Sequence, residues 1–460
     1  MWLKKYILSK SSVSLQATSL DKKRTVYLKS KSDPKSSKSE QFIVIYDQNS
    51  VCKTIDVKSL NEELQIIDKP NMSSFVLNEH GTHLLCVAEI QEKANKDESP
   101  AVAKEYKIDS HEFKQSWGEK FNTIYHTSIA VIDLQKSKCV LLDKVGVTLC
   151  EPFFFKSDDS STLSIGCVGY KELPYKLGLI YCTNRVSCLF GAKVVRDCSS
   201  SANIEPEIYY GDSAHLSIRS PRVYYSNGYD NKIVFLERNA GGAHDKAAKL
   251  QYFDMETRKI RTLIDDKIKR EVLKKEDGTV SYSDVGPIFS SDLPPNCFTK
   301  DGKYILFDSE TPMNRKSFAV QIENQSVHML DFADSTQIID VQHDWICAIG
   351  SSINQLPLVY LGHFSESNTK MQIVDDRQDR ILETMSFGMF MLPSKHFENK
   401  YITAIWTSPK EMMNKSGPTV IIPHGGPHGH YSCTYYQSIA LYNELGLKTC
   451  LGNSSFIKID

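Results

Sequence analysis

The alternation of apolar and polar positions predicts a succession of short strands separated by polar turns. From about residue 70 one unit recurs, a turn bearing Asn, Asp or Gly followed by an apolar strand. Its clearest copies span 78–87 and 299–307. In these Gly81 and Gly302 align and an apolar triplet follows each. Weaker copies begin near Ser157 and Ser226 and lead to 163–168 and 233–236. A second unit lies between them, a strand ending in Asp, a short polar turn and another strand. Ile132, Asp133, Leu134, Lys138 and Leu142 match Phe253, Asp254, Met255, Lys259 and Leu263 in register, and 317–330 is a looser third copy.

A hairpin of this size cannot bury a core alone. Evenly spaced four-stranded units stacked around an axis can, so the pattern predicts a β-propeller with about six blades between residues 13 and 390. The competing arrangement is a pair of β-sandwiches. Residues 1–40 are polar and Lys/Ser-rich, with a surface loop over 30–39 between two β-branched runs. Segments 91–116 and 266–284 are charged, poor in apolar residues and interrupt the repeat.

Near residue 395 the pattern changes. A strand over 402–406, a polar turn over 409–417, a buried strand over 419–422 and a helix from about 432 to 445 follow in order. The helix places Tyr435, Ile439, Tyr442 and Leu445 near one face, with Gly446 set to end it. This is the opening of an α/β domain. The expected organisation is a propeller domain over 1–395 and an α/β domain over 396–460.

The junction of that strand and helix holds the candidate chemistry. A β-branched run enters His424-Gly425-Gly426-Pro427-His428. Without a Cβ, a glycine lets its backbone N–H approach a substrate oxygen. Gly425 and Gly426 are therefore candidates for an oxyanion hole, with a plain tight turn as the alternative. His424, His428 and His430 also form a cluster that invites a zinc reading, but a zinc site needs enforced geometry and usually a fourth ligand. No metal and no cofactor is expected. Ser213 stands with Asp212 and His215, yet neighbours in a strand point to opposite faces, so this run is read as a blade loop. Residues 239–244 are glycine-rich without a phosphate-binding pattern and are read the same way.

Charge narrows the partners. The formal net charge is −1, which gives no basic field for nucleic acid, and no apolar run reaches transmembrane length. The basic N-terminus lacks an apolar signal core. Twelve cysteines without a C-x-x-C pair suit reduced thiols and a cytoplasmic location.

Several segments carry a family resemblance: residues 82–89, Trp117-Gly118-Glu119, 176–185 and Ser220-Pro221-Arg222, together with His424–His428. With them the chain resembles the acylaminoacyl-peptidase family in the prolyl oligopeptidase clan of serine peptidases. The resemblance implies a seven-bladed propeller capping an α/β-hydrolase domain. It also implies release of N-acylated residues from short blocked peptides, and a cytosolic oligomer. It makes Gly426 the oxyanion donor, and it allows Trp117, Gly118, Glu119 and Arg185 to line the central tunnel, against simple blade packing. The family's G-x-S-x-G elbow and the Asp and His of its triad follow the glycine loop, and no G-x-S-x-G occurs here. The expectation is therefore a C-terminally truncated member, short also at its first blade, with no catalytic residue and no peptidase activity. The alternative role is a non-catalytic scaffold or regulator that joins full-length subunits. A hydrolase part this short should leave strand 419–422 with a bare edge, prone to aggregation or to trimming near residue 395.

Overall fold

The computed structural model describes residues 12–453 except 20–21, 33–38, 49, 70–71, 91–114, 119, 173, 181, 201, 226–227, 245, 269–270, 275–279, 284–285, 367–368, 375–379, 394–400 and 426–428. The chain divides into two compact units. One comprises Met1–Ile233 with Asn239–Gly241 and Asp254–Lys259. The other comprises Val234–Arg238, Gly242–Phe253 and Ile260–Asp460.

Six propeller-type sheets form among the described residues, all but the second with their strands in chain order. The first joins Ser12–Thr18, Arg24–Ser32, Ser39–Asp47 and Ser50–Asp56. In the second, Leu64–Ile66 and Phe75–Leu77 both pair with His83–Ile90, which continues to Ser128–Asp133 and Lys138–Leu142. The third runs from Val147–Phe155 to Glu207–Tyr210, and the fourth from Leu216–Tyr225 to Ile260–Ile264. The fifth contains Tyr304–Glu310, Arg315–Gln321 and Val327–Leu330. The sixth runs from Ser335–Gln342 to Lys370–Ile373.

Both sequence repeats are turns that satisfy their own backbone. In the first, Asn78 N donates to His83 O and Gly81 N to Asn78 O. Thr299 N to Tyr304 O and Gly302 N to Thr299 O reproduce the pattern. Side-chain oxygens close both turns: Asn78 Oδ1 accepts from Thr82 N and His83 N, and Thr299 Oγ1 accepts from Tyr304 N. Gly81 and Gly302 sit at φ +61° and +68°, where an L side chain is strained. In the second repeat, Asp133 accepts from Gln135 N and Lys136 N, and Asp254 from Glu256 N and Thr257 N. Ser137 and Arg258, both at φ +55°, donate from N to O of those aspartates.

Apolar faces are buried between neighbouring sheets. In the first unit Val26, Leu28, Ile43 and Ile45 of the first sheet share a core with Leu84, Cys86, Ala130 and Ile132 of the second. In the second unit Tyr304, Leu306 and Ala319 meet Ile338, Val341, Ile346 and Ala348. A buried carboxylate fixes the register of that last pair. Asp308 accepts from Ser317 Oγ at 2.6 Å and from Ile338 N at 3.0 and 3.1 Å. Desolvation raises its pKa to about 6, opposed by Arg315 at 3.7 Å.

The last sheet differs. Its order is Met385–Pro393, Tyr401–Pro409, Lys448–Asn453, Thr419–Pro423, and its outer pair is parallel. The helix Gln437–Glu444 connects that parallel pair, which makes a βαβ unit. Ile439 and Ala440 pack with Ile405 and Leu451. Asn443 Nδ2 donates to Thr407 Oγ1 at 2.7 Å, which pins the helix to the sheet. Gly446 ends the helix at φ +79°. The helix begins five residues later than the apolar spacing predicted, because 432–436 is held by bonds to other segments, as described below. Among the described residues no helix is long and apolar enough to cross a membrane.

The strongest polar cluster in the first unit centres on His126. Its Nε2 lies 2.8 Å from Asp143 Oδ1 and its Nδ1 2.8 Å from Glu172 Oε1. Hydrogen bonds donated to Asp143 and Glu172 raise its pKa to about 9, and those bonds hold Asp143, and against desolvation Glu172, below their usual range. A raised histidine stabilises the fold fully below its unfolded value near 6.5, and this is lost as pH rises through about 9. The depressed carboxylates add stability above about 4.5, lost as pH falls. We therefore expect His126→Gln to cost about 1–2 kcal/mol at pH 6 after allowing for solvent screening. The deficit should shrink above pH 9, read as the thermal midpoint of the first unfolding transition at pH 6, 8 and 10.

Candidate functional site

Thr419–Pro423 delivers the glycine loop. Its pairing with Lys448–Asn453 continues one step past the strand, where His424 N donates to Gly452 O at 3.1 Å. Gly425 follows, exposed, and a Cβ built on it would meet nothing within 4 Å. The space where a side chain at Gly425 would sit is therefore open. The partner candidate Gly426, with Pro427 and His428, lies outside the described residues.

Beyond the loop the chain is strapped to other segments of the second unit. Asn453, buried at the end of its strand, brackets Tyr431: Oδ1 accepts from Tyr431 N at 2.7 Å and Nδ2 donates to Tyr431 O at 2.8 Å. His430 Nε2 meets Pro312 O at 2.9 Å, and Cys433 N donates to Met313 O at 2.6 Å. Ser432 Oγ donates to Glu310 Oε2 at 2.7 Å and lies 3.2 Å from His430 Nδ1. Thr434 and Ser351 share a hydroxyl hydrogen bond. These bonds hold 430–434 in a non-helical path, with Thr434 N turned back onto Ser432 O, and delay the helix. Glu310, His430 and Ser432 thus form a cluster that sequence reading missed, because 120 residues separate Glu310 from His430. It is not a nucleophile site as arranged: the Ser432 hydroxyl is directed to a carboxylate, and one imidazole nitrogen is spent on a carbonyl.

The other candidates serve local structure. His430 is engaged by Pro312 and Glu310, and no group of three or more His, Cys, Asp or Glu suited to a metal occurs among the described residues. Ser213 Oγ accepts from His215 N at 3.3 Å, an intra-loop contact. Trp117 is buried and donates from Nε1 to Thr148 Oγ1 at 2.9 Å. Arg185 donates from Nε to Gly178 O and from Nη2 to Leu177 O. Trp117 N also donates to Ile124 O, so each of the two residues serves its own neighbourhood, while Glu119 lies outside the described residues. Gly241 and Gly242, at φ +78° and +74°, form an open turn.

Comparison with known proteins follows this geometry. The family model of the acylamino-acid-releasing enzyme N-terminal domain matches residues 86–381. The acylamino-acid-releasing enzyme of Mus musculus is 24% identical over 449 residues, covering 91% of this chain and 58% of its own length. That of Homo sapiens is 22% identical over 445 residues, covering 90% and 57%. The chain thus spans under three fifths of the curated relatives it matches. Among solved structures, acylaminoacyl peptidase of Pyrococcus horikoshii superposes with a TM-score of 0.51 at 13% identity, over 96% of this chain and 65% of that one. Prolyl oligopeptidase B from Galerina marginata superposes at 0.57 with 10% identity, over 96% and 54%. At these identities the superpositions show the fold.

The strand that carries the loop is the outermost of its sheet, and Ile421 on it is 74% exposed. Leu441 on the following helix and Leu445 just past its end are 52% and 67% exposed. Its apolar run read as a buried strand, but it has the bare edge also expected of it, because one side of its backbone has no neighbour among the described residues. Such an edge templates association. Ile421→Lys should lower self-association at micromolar concentration, measured by light scattering, without lowering the thermal midpoint by more than about 0.5 kcal/mol equivalent.

Proposed function

The chain belongs to the acylamino-acid-releasing enzyme family, and from that premise we propose that it supplies the blades and the oxyanion-loop strand of an acylated-peptide hydrolase. The observation that carries the reading is the parallel strand Thr419–Pro423 opening onto an uncovered Gly425, in a chain whose preceding segment matches the family. We place the start of the hydrolase-type part near Met385, because Met385–Pro393 pairs along its length with Tyr401–Pro409. Gly425 and Gly426 form the oxyanion loop in this reading, with Gly426 as its one donor, and N-acylated short peptides are the substrate class.

The reaction itself needs a serine nucleophile, a histidine base to take its proton and an acid to orient the histidine, followed by hydrolysis of the acyl-enzyme. No G-x-S-x-G occurs in these 460 residues, so we infer that this polypeptide alone contributes half of an oxyanion hole and no nucleophile. One missing donor alone costs about 3–4 kcal/mol of transition-state stabilisation. The twelve free cysteines, most of them buried, support a reducing, cytoplasmic setting.

The uncovered edge strand favours a second reading, a non-catalytic scaffold or regulator that joins full-length subunits or further copies. Co-purification with a full-length paralogue would support it, and a solitary species in extract would count against it. For the main reading, the purified chain should release no chromophore from an N-acetyl-alanine anilide. Turnover that a serine-directed phosphonate blocks would overturn the assignment.

A further inference from the structure

We propose that the outer face of the sixth sheet is a dimer interface, covered by a second copy of this chain through a two-fold axis that runs parallel to the strands, between the two middle ones. This surface is distinct from the edge strand Thr419–Pro423. The inference stands on burial, register and charge, and it does not depend on the hydrolase reading.

Strands of the second, third and fifth sheets are buried on both faces. His83–Ile90, Ser128–Asp133, Thr162–Lys171 and Tyr304–Glu310 run buried from residue to residue except at their ends. The middle strands of the sixth sheet, Trp345–Ser352 and Gln355–His363, alternate instead. Side chains on a strand point to its two faces in turn. Ile346, Ala348, Leu358 and Tyr360 are buried on the side of the fifth sheet. The opposite face carries Trp345, Cys347 and Ile349, in register with His363, Leu361 and Val359. None of these six is buried, and Trp345 is 54% exposed. A contiguous apolar stripe left open on one face marks a contact surface.

The rims of the face decide what covers it. On the outer strand Ser335–Gln342, Asp340 stands in register with Cys347, and on the other outer strand, Lys370–Ile373, Lys370 stands in register with His363. Asp340 accepts from the Asn296 and Gln342 side-chain amides, which are neutral and leave its charge unpaired. One rim is therefore acidic and the other basic. A two-fold axis perpendicular to the strands would lay acidic rim on acidic rim and basic on basic. An axis parallel to the strands lays each acidic rim over a basic one, and the second strand of one copy over the third of the other. Trp345 then meets His363 of the second copy. This repeats the edge-on packing of Trp345 and His363 within the sheet, 5.5 Å between ring centres at 90°. Ile349 meets Val359 and Cys347 meets Leu361 in the same way. The face is thus self-complementary, as an isologous interface must be. It has an apolar centre with a tryptophan and a polar rim. A partner charged with one sign would set like charges together at one rim, and an apolar segment would leave both rims unmatched.

Sedimentation velocity of the full 460-residue chain tests this, in the Ile421→Lys background so that edge pairing contributes nothing. The chain should form a dimer and no larger species, with a dissociation constant of about 1–100 µM. Trp345→Glu should weaken the dimer by about thirtyfold or more with the thermal midpoint unchanged. At low salt Asp340→Lys and Lys370→Glu should each weaken it about fivefold, and the two together should return it to within about threefold of the parent. A chain that stays monomeric throughout this range would overturn the proposal, whatever other partner the face takes in extract. So would a dimer indifferent to Trp345→Glu, or a charge-swapped double variant as weak as either single one. The readout uses no substrate and no paralogue. Its failure leaves the hydrolase reading intact, and turnover by the isolated chain would overturn that reading without moving the dimer equilibrium.

Discussion

A small antiparallel sheet has two faces, and no single sheet of this chain can bury either by itself. Everything else in the fold follows from that. Val26, Leu28 and Ile43 are fully buried only because the second sheet lies against them, and Ile346 and Ala348 only because the fifth sheet lies against the sixth. Neighbouring sheets must therefore repeat the same geometry, and the turns between strands must repeat with them. The matched hydrogen bonds at Asn78–His83 and Thr299–Tyr304 are that repetition seen at the level of single atoms.

Burying strands also buries polar groups, and the structure handles them in two ways. Turn aspartates and threonines satisfy their own backbone locally. Across longer distances a few carboxylates act as joints: Asp308 to Ile338 N between the fifth and sixth sheets, and Asp143 and Glu172 around His126. Removing one partner would leave a desolvated charge, which costs more than the bond itself contributes. The strap from Glu310 to Ser432 belongs to the same class of joint, but it ends on the segment that carries the glycine loop.

The last sheet breaks the repeat because its connection is a helix, and a helix can join parallel strands where a two-residue turn cannot. Parallel sheets are ordinarily covered on both faces. Here Ile439 and Ala440 cover one face at the edge strand, while Ile421 remains exposed on the other.

Local pattern made the strands and their turns legible, since these depend on residues a few positions apart. Gly81, Gly302 and Gly446 adopt left-handed backbone as their places in turns and at a helix end required. The glycine loop was legible too, as a β-branched run entering His424 and Gly425. The sequence could not show that the helix starts at Gln437 rather than near 432, because Glu310, Pro312, Met313 and Ser351 claim the intervening residues from far along the chain. Nor could it show which atoms Trp117 and Arg185 bond, or that His430 serves a carbonyl. Those outcomes depend on which distant atoms meet, and tertiary packing alone sets that.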